Sequence, residues 1–266
     1  MATDQKLGTP ELLFRSAQQM GLAPVWVTPN GVFAITLDGQ ERYVNEARSL
    51  LNPAPSVALS KNKYVTRLIL QRHNMQNIAF AHPRIQADAE AFLKQHKKII
   101  AKPVLGAGSR DIHIVTTNAQ LAALDIAEYI LEKYIAGKEL RYLVLDGKVI
   151  GVHHSEYGTS VSETRPLQRI SYPEAVWNAG LVDTSLRIVE ILNLKFAAVD
   201  YLIDASGRAY ILEVNSMPGL KWFHAPSSGP AVDVAGLFLK STINSFHAQR
   251  PITSGALASR PAVAYS

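Results

Sequence analysis

A predicted β-hairpin near the carboxyl end of the chain has an acidic residue inside each of two apolar strands. The strands, at 196–203 and 208–214, flank the turn-forming sequence Asp-Ala-Ser-Gly, and apolar runs around such a cluster are typical of a hairpin. Asp200 lies in the first strand and Glu213 in the second. Because a buried charge needs a partner, the two carboxylates restrict the chain to folds that bring a cation to this hairpin.

The expected pairing places both carboxylates on one face of the hairpin. With a loop of two or four residues, Asp200 lies opposite Ile211, and Glu213 is its diagonal neighbour, roughly 7–8 Å away at the backbone. Asn215 continues the same face two positions on. Since hard cations take oxygen ligands, Asp200, Glu213 and Asn215 predict a site for Mg²⁺ or Mn²⁺. A loop of odd length would separate the carboxylates, and an edge hairpin would leave them solvated.

The composition excludes several classes of site. The 266 residues include no cysteine, which rules out disulfides, thiol catalysis and cysteine-ligated zinc. The net charge of +5 suits an acidic or polyphosphate partner, but no basic run with interleaved aromatic residues predicts nucleic-acid binding. No apolar stretch approaches the length of a membrane span, and the N-terminus lacks a signal-peptide pattern. We therefore expect a soluble, cytoplasmic protein without a membrane or nucleic-acid partner.

Strands and helices interleave along the chain with several hairpins, which predicts an α+β fold with mixed or antiparallel sheets. Two Asp-Gly dipeptides predict tight hairpin turns. The polar stretch 153–173 is expected to be a long loop, a feature that is unusual unless it is functional. We expect three parts: a small N-terminal α/β segment at 1–55, a main domain at 56–246 and a C-terminal tail at 247–266.

Two lysines lie where phosphate-binding groups are often found. A helix capped by Ser60 is expected to place Lys63 in its first turn. Lys102 ends an apolar strand just before the small-residue loop 106–109, whose backbone N–H groups could approach a phosphate closely. The loop alone is weak evidence, because glycines after a strand most often form only a turn. For Lys63, a solvated position on the helix surface is the alternative.

The order of the motifs is more specific than any one of them. An Asn-Lys pair opens a helix, Ala-Lys-Pro precedes the small-residue loop, and a strand containing an aspartate precedes Glu-Val-Asn and Pro-Gly. This succession resembles the ATP-grasp superfamily from about 56 to 246. Within it, NKYVTRLIL, YILEKYIAGKELRYLVLDGKV and EVNSMPGLKWFHAP are similar to the ATP-grasp domains of cyanophycin synthetase and bifunctional glutathione synthetase.

The resemblance implies an ATP-grasp fold, in which two α+β subdomains grip ATP between them and residues 88–137 form a lid. The resemblance then implies that lysine ammonium groups and the loop contact the phosphates. Backbone groups of Lys133 and Ile135 are expected to bind the adenine, and Glu139 is expected to bind the ribose. The implied nucleotide-binding residues are Lys63, Lys102, Gly106, Gly108, Ser109, Glu132, Lys133, Tyr134, Ile135 and Glu139.

The reaction implied by the resemblance joins a carboxylate to an amine, through an acylphosphate made from ATP. Arg141 begins a strand whose same-face neighbours are apolar, and a buried arginine needs an anion, so phosphate or a substrate carboxylate is expected there. Lys102, Arg141 and Arg165 are the implied catalytic residues. The implied substrate-binding residues are Arg165, Arg169, Lys221 and His224.

Several alternatives remain open at this level. The relatives have a further glycine-rich segment and large additional domains that this sequence lacks, so their substrates are not carried over. An amino acid or a peptide is the expected substrate, and a protein substrate and a homo-oligomer both stay open. The rival functions are an ATP-grasp phosphotransferase and an ATP-binding protein without turnover.

Overall fold

The computed structural model describes residues 7–48, 51–75, 77–106, 111–156 and 168–248. Within these ranges the chain forms three antiparallel sheets with α-helices packed against them. This arrangement confirms the predicted α+β class and the antiparallel pairing. None of the helices described is long and apolar enough to cross a membrane.

The first part of the chain is one helix and a three-stranded sheet. Its elements are α1 (Thr9–Gln19), β1 (Val25–Trp26), β2 (Val32–Leu37) and β3 (Gln40–Asn45). The turn between β2 and β3 has φ angles of 51° at Asp38 and 73° at Gly39, as the predicted Asp-Gly turn requires. The buried Leu13 and Phe33 join Phe196 in one apolar cluster, so this segment packs on the main domain. The predicted domain boundaries stay predictions.

Two short helices meet at Asn62, α2 (Ala54–Lys61) and α3 (Lys63–Arg72). The Asn62 side chain accepts a hydrogen bond from the N–H of Val65 at 3.0 Å and thereby caps α3. The predicted cap at Ser60 is wrong, because the chain becomes extended at Asn62 and a new helix begins there. Lys63 still lies in the first turn, as predicted.

A four-stranded sheet of order β4-β7-β5-β6 follows. Its elements and their helices are β4 (Phe80–Ala81), α4 (Gln86–His96), β5 (Ile99–Pro103), β6 (His113–Val115), α5 (Asn118–Ala122) and β7 (Tyr129–Lys133). One face, which includes Ala101 and Leu131, packs on the two helices. Since side chains alternate along a strand, Lys102 and Glu132 lie on the opposite face.

A five-stranded sheet of order β10-β9-β8-β11-β12 forms the largest layer. Its elements and helices are β8 (Lys138–Leu145), β9 (Lys148–Glu156), β10 (Gln168–Tyr172), α6 (Ala179–Ile191), β11 (Phe196–Ile203), β12 (Ala209–Asn215), α7 (Lys221–His224) and α8 (Val234–Ala248). The loop predicted over 153–173 is therefore wrong at both ends. Polar residues there form strands because they pair with each other, as Ser171 does with His153.

The hairpin of β11 and β12 keeps its two carboxylates on one face by means of a β-bulge. The loop 204–208 has five residues, an odd number. If the two strands paired without interruption from this loop, Asp200 would lie opposite Leu212, and Glu213 would point to the other face of the sheet. Instead Leu212 is left unpaired, and Asp200 pairs directly with Glu213. The predicted pairing of Asp200 with Ile211 is wrong, whereas the shared face is confirmed.

Asn52 ties the chain ahead of α2 to the end of this hairpin. Its amide donates to the carbonyls of Phe196 at 2.6 Å and Ser216 at 3.0 Å. Its Oδ1 accepts from the N–H groups of Lys195 at 2.9 Å and Phe196 at 3.0 Å. One side chain therefore satisfies four backbone groups where the strand ladder ends.

We expect Asn52→Ala to lower the free energy of unfolding by about 2–4 kcal/mol, because four backbone groups lose their partner. Urea denaturation monitored by circular dichroism measures the change. Asn118→Ala, at the exposed start of α5, is the matched control and should stay within about 0.5 kcal/mol of the parent. Equal effects of the two substitutions would contradict this assignment.

Candidate active site

Four ionisable side chains form a continuous row across the five-stranded sheet. His153 of β9 pairs with Arg141 of β8, Arg141 with Asp200 of β11, and Asp200 with Glu213 of β12. Because paired residues in neighbouring strands share a face, all four side chains lie on the same side of the sheet. Asn215 lies one row further along this face. The three predicted metal ligands are therefore brought together.

A bidentate ion pair occupies the centre of the row. Arg141 Nε and Nη2 each donate to one carboxylate oxygen of Asp200, both at 2.6 Å. Burial alone would lower the pKa of Arg141, but the Asp200 carboxylate outweighs burial and the pKa is raised. The anion that the buried arginine needs is thus Asp200, not the phosphate or substrate carboxylate that the sequence suggested. A role of Arg141 toward phosphate stays a prediction.

Glu213, at the acidic end of the row, lies in surroundings that disfavour its charged form. Its pKa is raised, first by burial and then by the neighbouring Asp200, although nearby cations oppose the shift. A cation between the two carboxylates would remove this repulsion. Two carboxylates with the amide oxygen of Asn215 are a donor set that fits a hard cation.

The protein alone offers few ligands to such a cation. Among the described residues, no group of three or more His, Asp or Glu side chains could hold a metal ion. The Oδ1 atom of Asn215 also accepts a hydrogen bond from the N–H of Met217 at 2.9 Å, which fixes the side chain. A cation here would need further oxygen atoms from a ligand, as Mg²⁺ commonly takes from phosphates.

Glu132 is the centre of a second ion-pair group, on the four-stranded sheet. Its side chain is 2% exposed, and it contacts Arg67 Nε at 2.8 Å and Lys102 Nζ at 2.7 Å. Burial alone would raise the pKa of Glu132, but the two cations lower it to about 2. Glu132 was expected at the adenine hinge. Its carboxylate instead holds two cations, because it lies on the same face of the sheet as Lys102.

Arg67 is a residue that the sequence analysis missed. Its Nη1 donates to the carbonyl of Ile211 at 2.6 Å and to Asn77 Oδ1 at 2.7 Å, and its Nη2 donates to the carbonyl of Leu212 at 2.7 Å. A signal was present, since Arg67 lies on the buried face of α3 with Leu70. A charge on the buried face of a helix requires partners.

A cavity of about 130 Å³ lies between α3, β7 and β12. Lys63 Nζ donates to the carbonyl of Gly106 at 3.0 Å beside it, and burial is the main cause that lowers the pKa of Lys63. The predicted site residues that line this cavity are Lys63, Gly106, Glu132, Glu213 and Asn215. Gly108 and Ser109 lie outside the described residues.

The predicted adenine hinge, Glu132 to Ile135, begins in the last two residues of β7 and continues beyond the strand. The N–H of Lys133 donates to the carbonyl of Ala79 at 2.9 Å, and the N–H of Tyr134 donates to the carbonyl of Lys98 at 3.1 Å. Both N–H groups are therefore used within the sheet. An adenine base would therefore have to form its hydrogen bonds with the backbone of Ile135 or with backbone carbonyl groups of this segment. The side chains of Tyr134 and Ile135 are half-buried.

Two of the predicted substrate residues, Arg169 and Lys221, lie at one indole ring and form what we call the basic end of the site. The guanidinium carbon of Arg169 lies 4.9 Å from the ring centre of Trp222, and Lys221 Nζ lies 4.8 Å from it. Arg169 Nε also donates to Ser155 Oγ at 3.4 Å. Ser155 pairs with Glu139, the predicted ribose contact, which is half-buried. The sequence analysis did not include Trp222.

The remaining predicted substrate residues differ in their placement. His224 Nδ1 lies 3.7 Å from Asp233 Oδ1, so its ring interacts with this exposed carboxylate. Arg165 lies outside the described residues. The structure thus groups Arg169 with Lys221.

The adjacent histidines of β9 point to opposite faces of the sheet, because side chains alternate along a strand. The ring centre of His153 lies 4.5 Å from that of Phe223, and that of His154 lies 5.3 Å from that of Tyr172. Burial, and then two nearby arginines, lower the pKa of His153 to about 2, so this ring is neutral at pH 7. The two histidines do not form a joint metal site.

We expect Glu132→Gln to lower the free energy of unfolding by about 3–5 kcal/mol at pH 7, because Arg67 and Lys102 lose their buried counter-ion. Since the folded protein lowers the pKa of Glu132 from 4.5 to about 2, this stabilisation is complete above pH 4.5 and is lost as the pH falls toward 2. Urea denaturation at pH 7 and at pH 3 should therefore show a smaller difference between parent and variant at pH 3. A difference independent of pH would contradict the assignment.

Comparison with known proteins agrees with this geometry. The family model described as an ATP-grasp domain matches residues 60–219, more than half of the chain. A D-alanine–D-alanine ligase of Anaeromyxobacter dehalogenans is 29% identical over 137 residues, which are 46% of this chain and 44% of that enzyme. A coenzyme γ-F420-2:α-L-glutamate ligase of Methanococcus maripaludis is 24% identical over 194 residues, covering 68% of this chain and 67% of the relative.

Solved structures share the fold. A bifunctional glutathione synthetase from Pasteurella multocida covers 91% of this chain and 45% of its own length, with a TM-score of 0.67 and 14% identity. The ATP-grasp ligase PsnB, complexed with a minimal precursor, covers 73% of this chain and 63% of its own, with a TM-score of 0.60 and 18% identity. The chain spans less than half the length of the D-alanine–D-alanine ligase that it matches. The predicted fold is confirmed, and the chain belongs to the ATP-grasp family.

Proposed function

We propose that the protein is an ATP-dependent carboxylate–amine ligase, which forms an amide bond through an acylphosphate and releases ADP and phosphate. The observation that supports this most strongly is the convergence on one cavity of Lys63 from α3, Glu132 from β7 and Glu213 with Asn215 from β12. Lys102 forms an ion pair with Glu132, and Asp200 is the strand-pairing partner of Glu213. The relatives are named as ligases of D-alanine and of L-glutamate, which supports an amino acid or peptide substrate.

The nucleotide is expected to lie between the four-stranded and the five-stranded sheet. Lys63 and Lys102 bind the phosphates, and Glu132 keeps the Lys102 ammonium in place. The loop 106–109 covers the phosphates. The segment after β7 binds the adenine through Ile135 and carbonyl groups, and Glu139 binds the ribose. Residues 88–137 act as the lid.

The acidic end of the row is the proposed cation site. Asp200, Glu213 and Asn215 would hold Mg²⁺ or Mn²⁺ together with phosphate oxygens. The bound cation would neutralise charge on the phosphates.

The chemical steps need positioning and charge more than a protein nucleophile. A carboxylate oxygen of the substrate attacks the γ-phosphorus, and ADP leaves with the electron pair of the broken P–O bond. The amine then attacks the acyl carbon, expels phosphate and gives up a proton. Arg141 and Lys102 stabilise the negative charge on the transferred group. At the basic end, Arg169 and Lys221 hold the carboxylate-bearing substrate, and Arg165 and His224 are further candidates for this role.

The test is ADP formation by the purified protein with Mg²⁺-ATP and pools of amino acids and dipeptides. We expect turnover that needs both a carboxylate and an amine, with ADP and phosphate released in equal amounts. Phosphoryl transfer to a hydroxyl or phosphate without an amine would instead indicate a phosphotransferase. ATP binding without turnover in any pool, peptides included, would contradict the proposal and favour an ATP-binding role.

Glu213→Gln should lower the turnover number about 100-fold or more, since it removes charge from the proposed cation site. The same change should raise the midpoint of thermal unfolding, because the pKa of Glu213 is raised by burial and by Asp200, and the neutral amide removes that repulsion. Calorimetry and the ADP assay measure the two effects. Glu190→Gln, at an exposed position of α6, should change neither. Loss of activity together with a lower midpoint would indicate misfolding and contradict this account.

A further inference from the structure

We propose that Arg67 is a positioning residue for the ligase site, and that its guanidinium fixes the proposed metal ligand Glu213 and the phosphate-binding Lys102 at the same time. This inference rests on the proposed function, because it concerns how the two halves of that site are held in register. Arg67 lies within the motif NKYVTRLIL, but the resemblance implied no role for it.

The Arg67 side chain donates four hydrogen bonds and forms an ion pair with Glu132. A guanidinium has five N–H donors in a planar fork. Those of Arg67 are directed to Glu132 Oε1, to Asn77 Oδ1 and to the carbonyls of Ile211 and Leu212, all within 2.6–2.8 Å. The residue is only 3% exposed, so its charge is supported entirely by these groups. Four hydrogen bonds in different directions indicate a fixed orientation of the side chain.

Two of the contacts hold the β-bulge. Leu212 has no partner in β11, and a bulge disrupts the strand ladder locally. Arg67 binds the carbonyls of Leu212 and of the residue before it, and so stabilises the backbone in its bulged form. Because the loop 204–208 is odd in length, a ladder without the bulge would turn Glu213 away from Asp200. The bulge is therefore the feature that places the two carboxylates together.

The remaining charge contact extends to the four-stranded sheet. Arg67 and Lys102 share the carboxylate of Glu132, which lies 2.7 Å from Lys102 Nζ. If Arg67 were displaced, the Glu132 carboxylate would keep only Lys102 as a partner. The carboxylate would then be free to move, and Lys102 would be held less firmly in position. Arg67 thus sets the position of Lys102 through Glu132, and the position of Glu213 through the bulge.

Lysine is the informative replacement. It keeps the positive charge for Glu132 but has three donors on one nitrogen, and it cannot reach the carboxylate and both bulge carbonyls as a planar fork does. We expect Arg67→Lys to weaken Mn²⁺ binding about tenfold or more, the range found when a residue that orients a metal ligand is changed. We also expect weaker binding of ADP in the presence of EDTA, because Lys102 is less restrained.

The experiment measures both affinities on the full chain. Electron paramagnetic resonance measures the binding of Mn²⁺ to the protein in the presence of ADP, and a titration without protein corrects for the Mn²⁺ that ADP alone binds. Calorimetry measures the binding of ADP in the presence of EDTA. Arg72→Lys, at an exposed position of the same helix, is the matched control. Val189→Ala, at a buried position of α6 in the apolar core, controls for a general loss of stability. Both controls should leave the two affinities within about twofold of the parent.

A deletion separates the proposed role from a merely structural one. Removing Leu212 deletes the bulged residue itself, so that Asp200 pairs with Glu213 in a regular ladder without help from Arg67. In that background, Arg67→Lys should no longer weaken Mn²⁺ binding, while its effect on ADP should persist. An equal loss of Mn²⁺ binding with and without Leu212 would overturn the proposal, and so would unchanged affinities in folded Arg67→Lys.

Two further outcomes are decisive. If Arg67→Lys does not fold, Asn77→Ala removes one of the partners of Arg67 and should weaken the same two affinities to a smaller extent; unchanged affinities in this variant would overturn the proposal. If the parent protein binds neither ADP nor Mn²⁺, the proposed function itself fails, and the inference fails with it. This last result is distinguishable, because it appears before any variant is made.

Discussion

The pairing register of β11 and β12 is the constraint on which the rest of the site depends. Side chains alternate along a strand, so a shift by one residue would turn Glu213 away from Asp200. The unpaired Leu212 prevents that shift, and the buried Arg67 donates to the carbonyls of Leu212 and of Ile211 before it. The same guanidinium reaches Glu132 on the other sheet. Arg67 therefore links the bulge in the hairpin to the four-stranded sheet, and so helps to fix how the two sheets lie relative to each other.

Charge is arranged along the row in a way that suits the proposed chemistry. The acidic end, with Asp200 and Glu213, favours a cation, and the basic end, near Arg169 and Lys221, favours an anion. Arg141 lies between the two and is neutralised by Asp200. Because the row crosses neighbouring strands about 5 Å apart, groups held at the two ends would be separated by a few strand spacings. That separation gives room for a phosphoryl group next to a carboxylate-bearing substrate.

Local signals in the sequence predicted the elements whose geometry is decided locally. The Asp146-Gly147 turn has φ angles of 47° and 72°, as the dipeptide indicated, and Lys63 lies in the first turn of a helix, as expected. The strand β10 could not be predicted, because its polar residues gain their structure by pairing with β9. Arg67 was missed for a similar reason: its partners lie 65 and 145 residues away in the chain. The shared face of the carboxylates was predicted correctly from a register that is wrong.

The most direct test of this account is a crystal structure with the non-hydrolysable nucleotide AMP-PNP and Mn²⁺, with anomalous diffraction used to locate the metal. The account predicts an anomalous peak between the carboxylates of Asp200 and Glu213, with Leu212 still unpaired and Lys102 at the phosphates. A peak elsewhere, or a regular β12 with Glu213 on the opposite face of the sheet, would contradict it.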